Sequence, residues 1–165
     1  PSDPEWAGRL VFTDEQTATT SATPEQLWRV IVGIGGENGW YSSPFLWAVR
    51  GWMDRLVGGV GLQRGRRSRG KVAAGDAIDF WRVEAVEEGR LLRLRAEMKV
   101  PGLAWLELRA SPEGSGSRYD QRAVFFPTGL AGRLYWFAVL PFHGFIFQGM
   151  ANRIAAAAER EAPAA

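Results

Sequence analysis

Between Gly75 and Phe126, apolar and polar residues alternate with a period close to two. The segments GDAIDFWRVEAV, LLRLRAEMKV, LAWLELRAS and RYDQRAVFF are separated by the short turns EEGR, PG and PEGSGS. Side chains along a strand point alternately to opposite faces, so the pattern predicts four antiparallel strands in a meander. One parity carries Arg93, Arg95, Glu97 and Lys99, then Glu107 and Arg109, then Arg118, Asp120 and Arg122. Cross-strand charge pairs on a solvated face account for these residues. The opposite parity carries Leu92, Leu94, Ala96 and Met98, then Leu106 and Leu108, then Tyr119, Gln121, Ala123 and Phe125. Polar atoms are few there: the Tyr119 phenol, the Gln121 amide and, beside Trp81, the Asp79 carboxylate.

On either side of the meander the pattern changes. Residues 1–8 are a polar lead-in with two prolines, and Leu10 to Thr20 reads as a threonine-rich first strand. Thr23-Pro24-Glu25-Gln26 is a helix start: threonine caps, proline suits the first turn, and glutamine closes a capping box. A second helix is expected over Pro44 to Val57, where apolar residues recur at 45, 46, 49, 52, 53, 56 and 57. After Pro127 the chain reads as helix, with Gly129 to Leu140 as a first piece, a kink at Pro141, and a continuation into IAAAAERE. The whole, 1–165, is one domain with a folded core over 9–160.

The stretch GIGGENGWY, residues 33–41, resembles the glycine fingerprint of a dinucleotide site. That fingerprint needs a strand before its glycines and a helix starting within them. Here a capped helix comes first, so the glycines end that helix and turn the chain.

Composition narrows the chemistry. The 165 residues contain no cysteine and one histidine, His143. Thiolate chemistry is thereby excluded, as is a multi-histidine metal site within one chain, and no cofactor is expected. A formal charge of +2 gives no argument for nucleic acid, and the cluster Arg64, Arg66, Arg67, Arg69 and Lys71 reads as a solvated loop. The longest apolar run, Leu134 to Phe147, falls short of the ~20 residues of a membrane span. A soluble, cytoplasmic protein without a transmembrane segment is expected. The chain begins at Pro1 without a methionine and reads as an excised or processed segment. Eight tryptophans are many for this length, and their size suits a large core or a ligand cavity.

The candidate acid–base residues are His143, Asp79 and Tyr119, each with a structural alternative. A histidine among aromatics serves as a core residue, and Asp76 and Asp79 serve as turn caps. Trp40 and Tyr41 follow the glycine corner, at a mouth or lid or packed on the second helix. Trp81, Met98, Tyr119, Gln121, Trp136, Phe137 and His143 line either a cavity or a core. Glu37 and Asn38 are weak candidates for gatekeepers, and Ser42 and Ser43 serve as a helix cap.

Taken together, strand, two helices, meander and long C-terminal helix resemble an α+β fold, the helix-grip fold of the START-like, birch-pollen-allergen-like (SRPBCC) superfamily. GIGGENGWY, RGWMDRLVGGVGL, GDAIDFWRVE, RLLRLRAEMKVPGLAWLE and GRLYWFAVLPFHGFIFQGM resemble one uncharacterised bacterial family within it, over about residues 8–160. The resemblance implies a curved sheet wrapped around the C-terminal helix with an apolar cavity between them. It also implies frequent placement behind an NAD(P)-binding, short-chain-dehydrogenase-like domain. Three functions stay open from sequence. The first is binding of a hydrophobic, aromatic or polycyclic small molecule, in support of such an oxidoreductase domain. The second is a cofactor-independent cyclase, isomerase or hydratase. The third is a docking or homodimerisation module that uses Trp47, Trp52 or the aromatic helix.

Overall fold

A computed structural model of the chain describes residues 11–35, 39, 41, 72–97 and 100–161, apart from the Phe142 side chain. The predicted second helix, the basic cluster, and Glu37, Asn38, Trp40, Ser42, Ser43, Trp47, Trp52, Met98 and Lys99 lie outside the described residues.

Six strands form one antiparallel sheet: β1 (Phe12–Thr20), β2 (Ala77–Ile78), β3 (Trp81–Glu87), β4 (Leu91–Ala96), β5 (Gly102–Glu113) and β6 (Gly116–Pro127). Their order is β1-β6-β5-β4-β3-β2, so the first strand closes onto the last and the rest is the predicted meander. The segment read as one strand from Gly75 is two. Asp79 takes a positive φ of 53°, and the chain turns at Asp79–Phe80 before β3 pairs back on β2.

Helix α1 (Pro24–Val32) starts as its sequence dictates. The Thr23 hydroxyl accepts from the Gln26 amide at 3.3 Å, and the Gln26 side chain accepts from the Thr23 N–H at 2.9 Å. Leu27, Trp28, Val30 and Ile31 are its buried side. The glycine corner then packs the chain tightly. Gly35 has φ +88°, and a Cβ there would stand 2.3 Å from the Ile78 methyl. The Gly35 N–H also donates to the Gly39 carbonyl at 2.9 Å. These bonds fit a turn, as the order of elements required.

Helix α2 (Gly129–Arg160) spans the inner face of the sheet and bends by 55° between Gly129–Pro141 and His143–Arg160. Proline at 141 has no N–H to donate, which removes one rung of the helix at that point. Among the described residues no single helix is long and apolar enough to cross a membrane; the two halves of α2 pass such a test only together. Past the bend Met150, Ala151, Ile154, Ala157 and Ala158 join Leu92, Leu94, Leu106, Leu108, Ala110, Tyr119 and Ala123 in one core with α1.

The outer face corrects one expectation. It is not simply a solvated charge ladder: Glu107 is 2% exposed and Trp105 is 1% exposed there. Arg93 lies opposite Glu107 and bonds it at 2.9 Å, Arg109 approaches its other oxygen at 3.6 Å, and Arg122 is its partner on β6. Arginine stems lie along the surface and shield what they pair with. A bulge in β3 inserts Glu84, whose carboxylate accepts from the Trp105 indole at 3.2 Å. Trp105 packs with Val124, Val11, Leu103 and Phe126 in a second, smaller core.

Candidate functional site

Register decides which polar side chains share the inner face. β1 pairs with β6 so that Phe12 faces Phe125, Asp14 faces Ala123, Gln16 faces Gln121, Ala18 faces Tyr119 and Thr20 faces Ser117. Even-numbered residues of β1 are the more buried set, so Asp14 and Gln16 turn inward beside Gln121 and Tyr119. The result is a four-residue polar row, Asp14, Gln16, Tyr119 and Gln121, with buried Thr20 and Ser117 beyond it, on a face that is otherwise leucine, alanine and aromatic.

The row is partly self-satisfied. The Tyr119 hydroxyl donates to Gln121 Oε1 at 2.9 Å, and the Gln16 amide donates to Asp14 Oδ1 at 2.7 Å. Burial, and then the neighbouring Asp120 carboxylate, push the Tyr119 hydroxyl well above the ordinary phenol range. Tyr119 is therefore a fixed hydrogen-bond donor rather than a proton-transfer group near neutral pH. Gln121 Nε2 and Asp14 Oδ2 are both buried, and among the described residues both lack a hydrogen-bond partner.

Helix α2 covers the row and is pinned at both ends. At one end the Thr20 hydroxyl donates to the Ala155 carbonyl at 3.1 Å. At the other, Trp136 stacks on Phe12 at 5.6 Å and on Phe125 at 5.8 Å. Eight strand residues span about 27 Å and nineteen helix residues about 28 Å, so strand and helix stay in step. On that scale His143, twelve residues from Ala155, lies level with Asp14 and Gln16. Its ring meets Trp136 at 5.3 Å and Phe147 at 4.7 Å. The polar row thus runs beneath the kink.

The other sequence candidates fall elsewhere. Asp79 sits at the β2–β3 turn, four strands and about 19 Å along the sheet from Tyr119. Its carboxylate lies beside Gly35. The three acid–base candidates therefore do not converge. Trp81 packs against the main core from the start of β3. Tyr41 packs on that core too, its carbonyl accepting from Arg153 at 3.4 Å in the second half of α2, far from Trp136. Burial and the Glu161 carboxylate raise its hydroxyl above the usual range. Trp136 is buried, whereas Phe137 is 61% exposed and meets Phe12 only edge-on, so it points away from the inner face. Among the described residues no cluster of three metal-binding side chains occurs. Two clefts formed by described residues lie away from the kink. One of about 420 Å³ runs between β1 and α2 beside Asn152 and Glu159; one of about 220 Å³ lies beside Glu107 and Arg109.

Comparison with known proteins places this geometry in a fold. The chain belongs to the family described as protein of unknown function (DUF2867), whose model matches residues 6–150. No curated protein matches it in sequence. Among solved structures it is similar to the Zhui aromatase/cyclase from Streptomyces sp. R1128, at 14% identity and a TM-score of 0.52, covering 92% of this chain and 95% of that one. It is also similar to norcoclaurine synthase from Thalictrum flavum in complex with dopamine and hydroxybenzaldehyde, at 14% identity and a TM-score of 0.54, covering 94% and 90%. A third is the KanY protein, at 13% identity and a TM-score of 0.59, covering 90% and 97%. These likenesses establish the helix-grip α+β fold.

Proposed function

We propose that this domain binds a hydrophobic small molecule between the inner face of the sheet and the kinked helix α2. One observation carries the reading: an apolar face bears a short buried polar row directly beneath the point where the covering helix bends. Small-molecule sites are mostly apolar with a few placed polar groups, and a bend lifts a helix from the sheet it covers. The fold neighbours named as cyclases and synthases are consistent with ligand binding in this architecture. An aromatic or polycyclic ligand matches the Phe12–Trp136–Phe125 stack at the end of the row. A role beside a fused NAD(P)-dependent domain rests on the family resemblance and adds no residue to the site.

Titration with 1-anilinonaphthalene-8-sulfonate tests the reading. Saturable binding at one site per chain is expected. Ala123→Leu, which adds bulk between Gln121 and Phe125 on the inner face, should weaken it at least fivefold while the domain stays folded. Unsaturable binding, or binding indifferent to Ala123→Leu, would remove the site from this face.

A second reading has its own observation. Leu130, Leu134 and Phe137 follow one another at helical spacing on the exposed side of α2, with Phe145 81% exposed beyond the bend. An apolar stripe of this kind suits self-association with a second copy. Sedimentation of the wild type against Phe137→Glu decides it: a dimer that dissociates supports the stripe, and a wild-type monomer ends the idea.

A further inference from the structure

We propose that the ligand is read through a hydroxyl group, held between Asp14 and Gln121. This deepens the binding reading above and rests on it. The two residues are on neighbouring strands, with Asp14 opposite Ala123 and Gln121 two residues further along β6. They are diagonal neighbours, with side chains about 7–8 Å apart at their base. Gln121 is 1% exposed. Among the described residues its Nε2 has no acceptor and Asp14 Oδ2 has no donor, although both atoms are buried. Native proteins seldom leave buried polar atoms unmet, and two such atoms side by side on an apolar face mark a place where something else completes them.

What completes them follows from their chemistry. Tyr119 is a buried phenol whose proton goes to Gln121 Oε1 at 2.9 Å. That bond fixes the amide so that Nε2, a donor, faces away from Tyr119. Asp14 Oδ1 already accepts from Gln16, which leaves Oδ2 as a free acceptor. A partner must therefore accept from Gln121 and donate to Asp14. A single hydroxyl oxygen does both. An ether or ketone oxygen accepts only, and would leave the carboxylate oxygen unmet. An ammonium donates only, and would leave the amide N–H unmet. The Phe12–Trp136–Phe125 stack begins two residues away on the same face, so the hydroxyl belongs on an apolar, ring-bearing body.

Calorimetric titration of the full chain with naphthalene, 2-naphthol and 2-methoxynaphthalene tests this. 2-Naphthol should bind about tenfold more tightly than 2-methoxynaphthalene, the scale of one hydrogen bond to a charged acceptor. Asp14→Asn keeps the shape and the bond from Gln16 but turns the free acceptor into a donor. It should reduce the preference to within about twofold or invert it, because the methoxy oxygen can now accept from residue 14. Unchanged naphthalene affinity in Asp14→Asn would show that the face is intact. Gln121→Leu should lower 2-naphthol affinity while sparing naphthalene. Equal affinity for the two oxygenated probes, or a preference that survives Asp14→Asn, overturns the hydroxyl assignment and leaves ligand binding standing. Failure of all three probes to bind overturns both.

Discussion

On the outer face of the sheet, Glu107 is buried with Arg93 2.9 Å from one oxygen and Arg109 3.6 Å from the other. On the inner face of the next strand, Gln121 is equally buried, yet its Nε2 has no partner among the described residues. The two positions are almost equally buried and differ in kind: Glu107 Oε2 also makes no hydrogen bond, but it has the Arg109 guanidinium within ion-pair range, whereas Gln121 Nε2 has no acceptor among the described residues. A buried carboxylate flanked by arginines holds strands in register through ion pairs, even where one of its oxygens makes no hydrogen bond. Buried polarity left half-met costs stability in the empty domain, and such a cost is tolerated where a ligand relieves it. The contrast assigns the outer network to structure and the inner row to function. Exposure alone could not have separated them.

The largest effect is expected outside. Glu107→Leu takes the nearer carboxylate from Arg93, which keeps Glu84 at 3.9 Å, and should cost about 2–3 kcal/mol, the scale of a hydrogen bond between charged groups. For a domain of this size that lowers Tm by roughly 5–10 °C in thermal unfolding. A loss below ~1 kcal/mol would mean that the outer carboxylate is effectively solvated. The next effect is inside and has a sign of its own. Tyr119→Phe should cost about 1–2 kcal/mol, because it leaves the Gln121 oxygen unmet as well as the nitrogen. Adding Gln121→Leu should recover all of it, since both polar groups are then gone. Urea unfolding of the single and double variants reads this directly. If the double variant were the less stable of the two, the inner row would be a structural network like the outer one.

Much of this arrangement was legible in the chain, and the exceptions have physical causes. Strict alternation at Leu92, Leu94, Leu106 and Leu108 placed β4 and β5 with their faces correctly assigned, and Pro141 announced the bend. The outer cluster was concealed because charged residues read as solvated. The one signal against that reading was Trp105 in the same parity as Glu107 and Arg109. The Glu84 bulge also left a trace, since the inward residues Val83 and Val86 are three apart instead of two. Asp14 and Gln16 escaped for a different reason. In FTDEQTATT both parities are mostly polar, so β1 has no apolar face to declare its orientation. Only its pairing with β6, a contact across about a hundred residues, turns them inward. Gln121 and Tyr119 could be named from their own strand, but the atoms they leave unmet are a property of the assembled face.

A smaller effect sharpens the contrast from the inner side. Asp14→Asn should change stability by less than about 1 kcal/mol, because the altered oxygen has no partner to lose. A loss above ~3 kcal/mol would show that Oδ2 is held in solution.

The smallest expected effect comes from a carboxylate that is satisfied but exposed. Glu159 Oε1 accepts from the Ser21 N–H and the Ser21 hydroxyl, and shares the Thr20 hydroxyl proton with the Ala155 carbonyl, each at 3.1 Å. Those bonds, the backbone one first, hold its pKa below the usual value. A depressed carboxylate pKa contributes stability that is fully present above the unfolded value, about 4.3, and is lost as pH falls through the folded value. The wild type should therefore be slightly more stable than Glu159→Gln at pH 7, and the gap in Tm should close between about pH 5 and pH 3. Because the side chain is solvated, the gap should also narrow in high salt only weakly, since hydrogen bonds to neutral donors supply most of it. A gap that stayed constant with pH would mean that the tie between β1 and α2 does not depend on the ionised group. The pinning of α2 over the polar row would then rest on the Thr20–Ala155 bond and the Phe12–Trp136 stack alone.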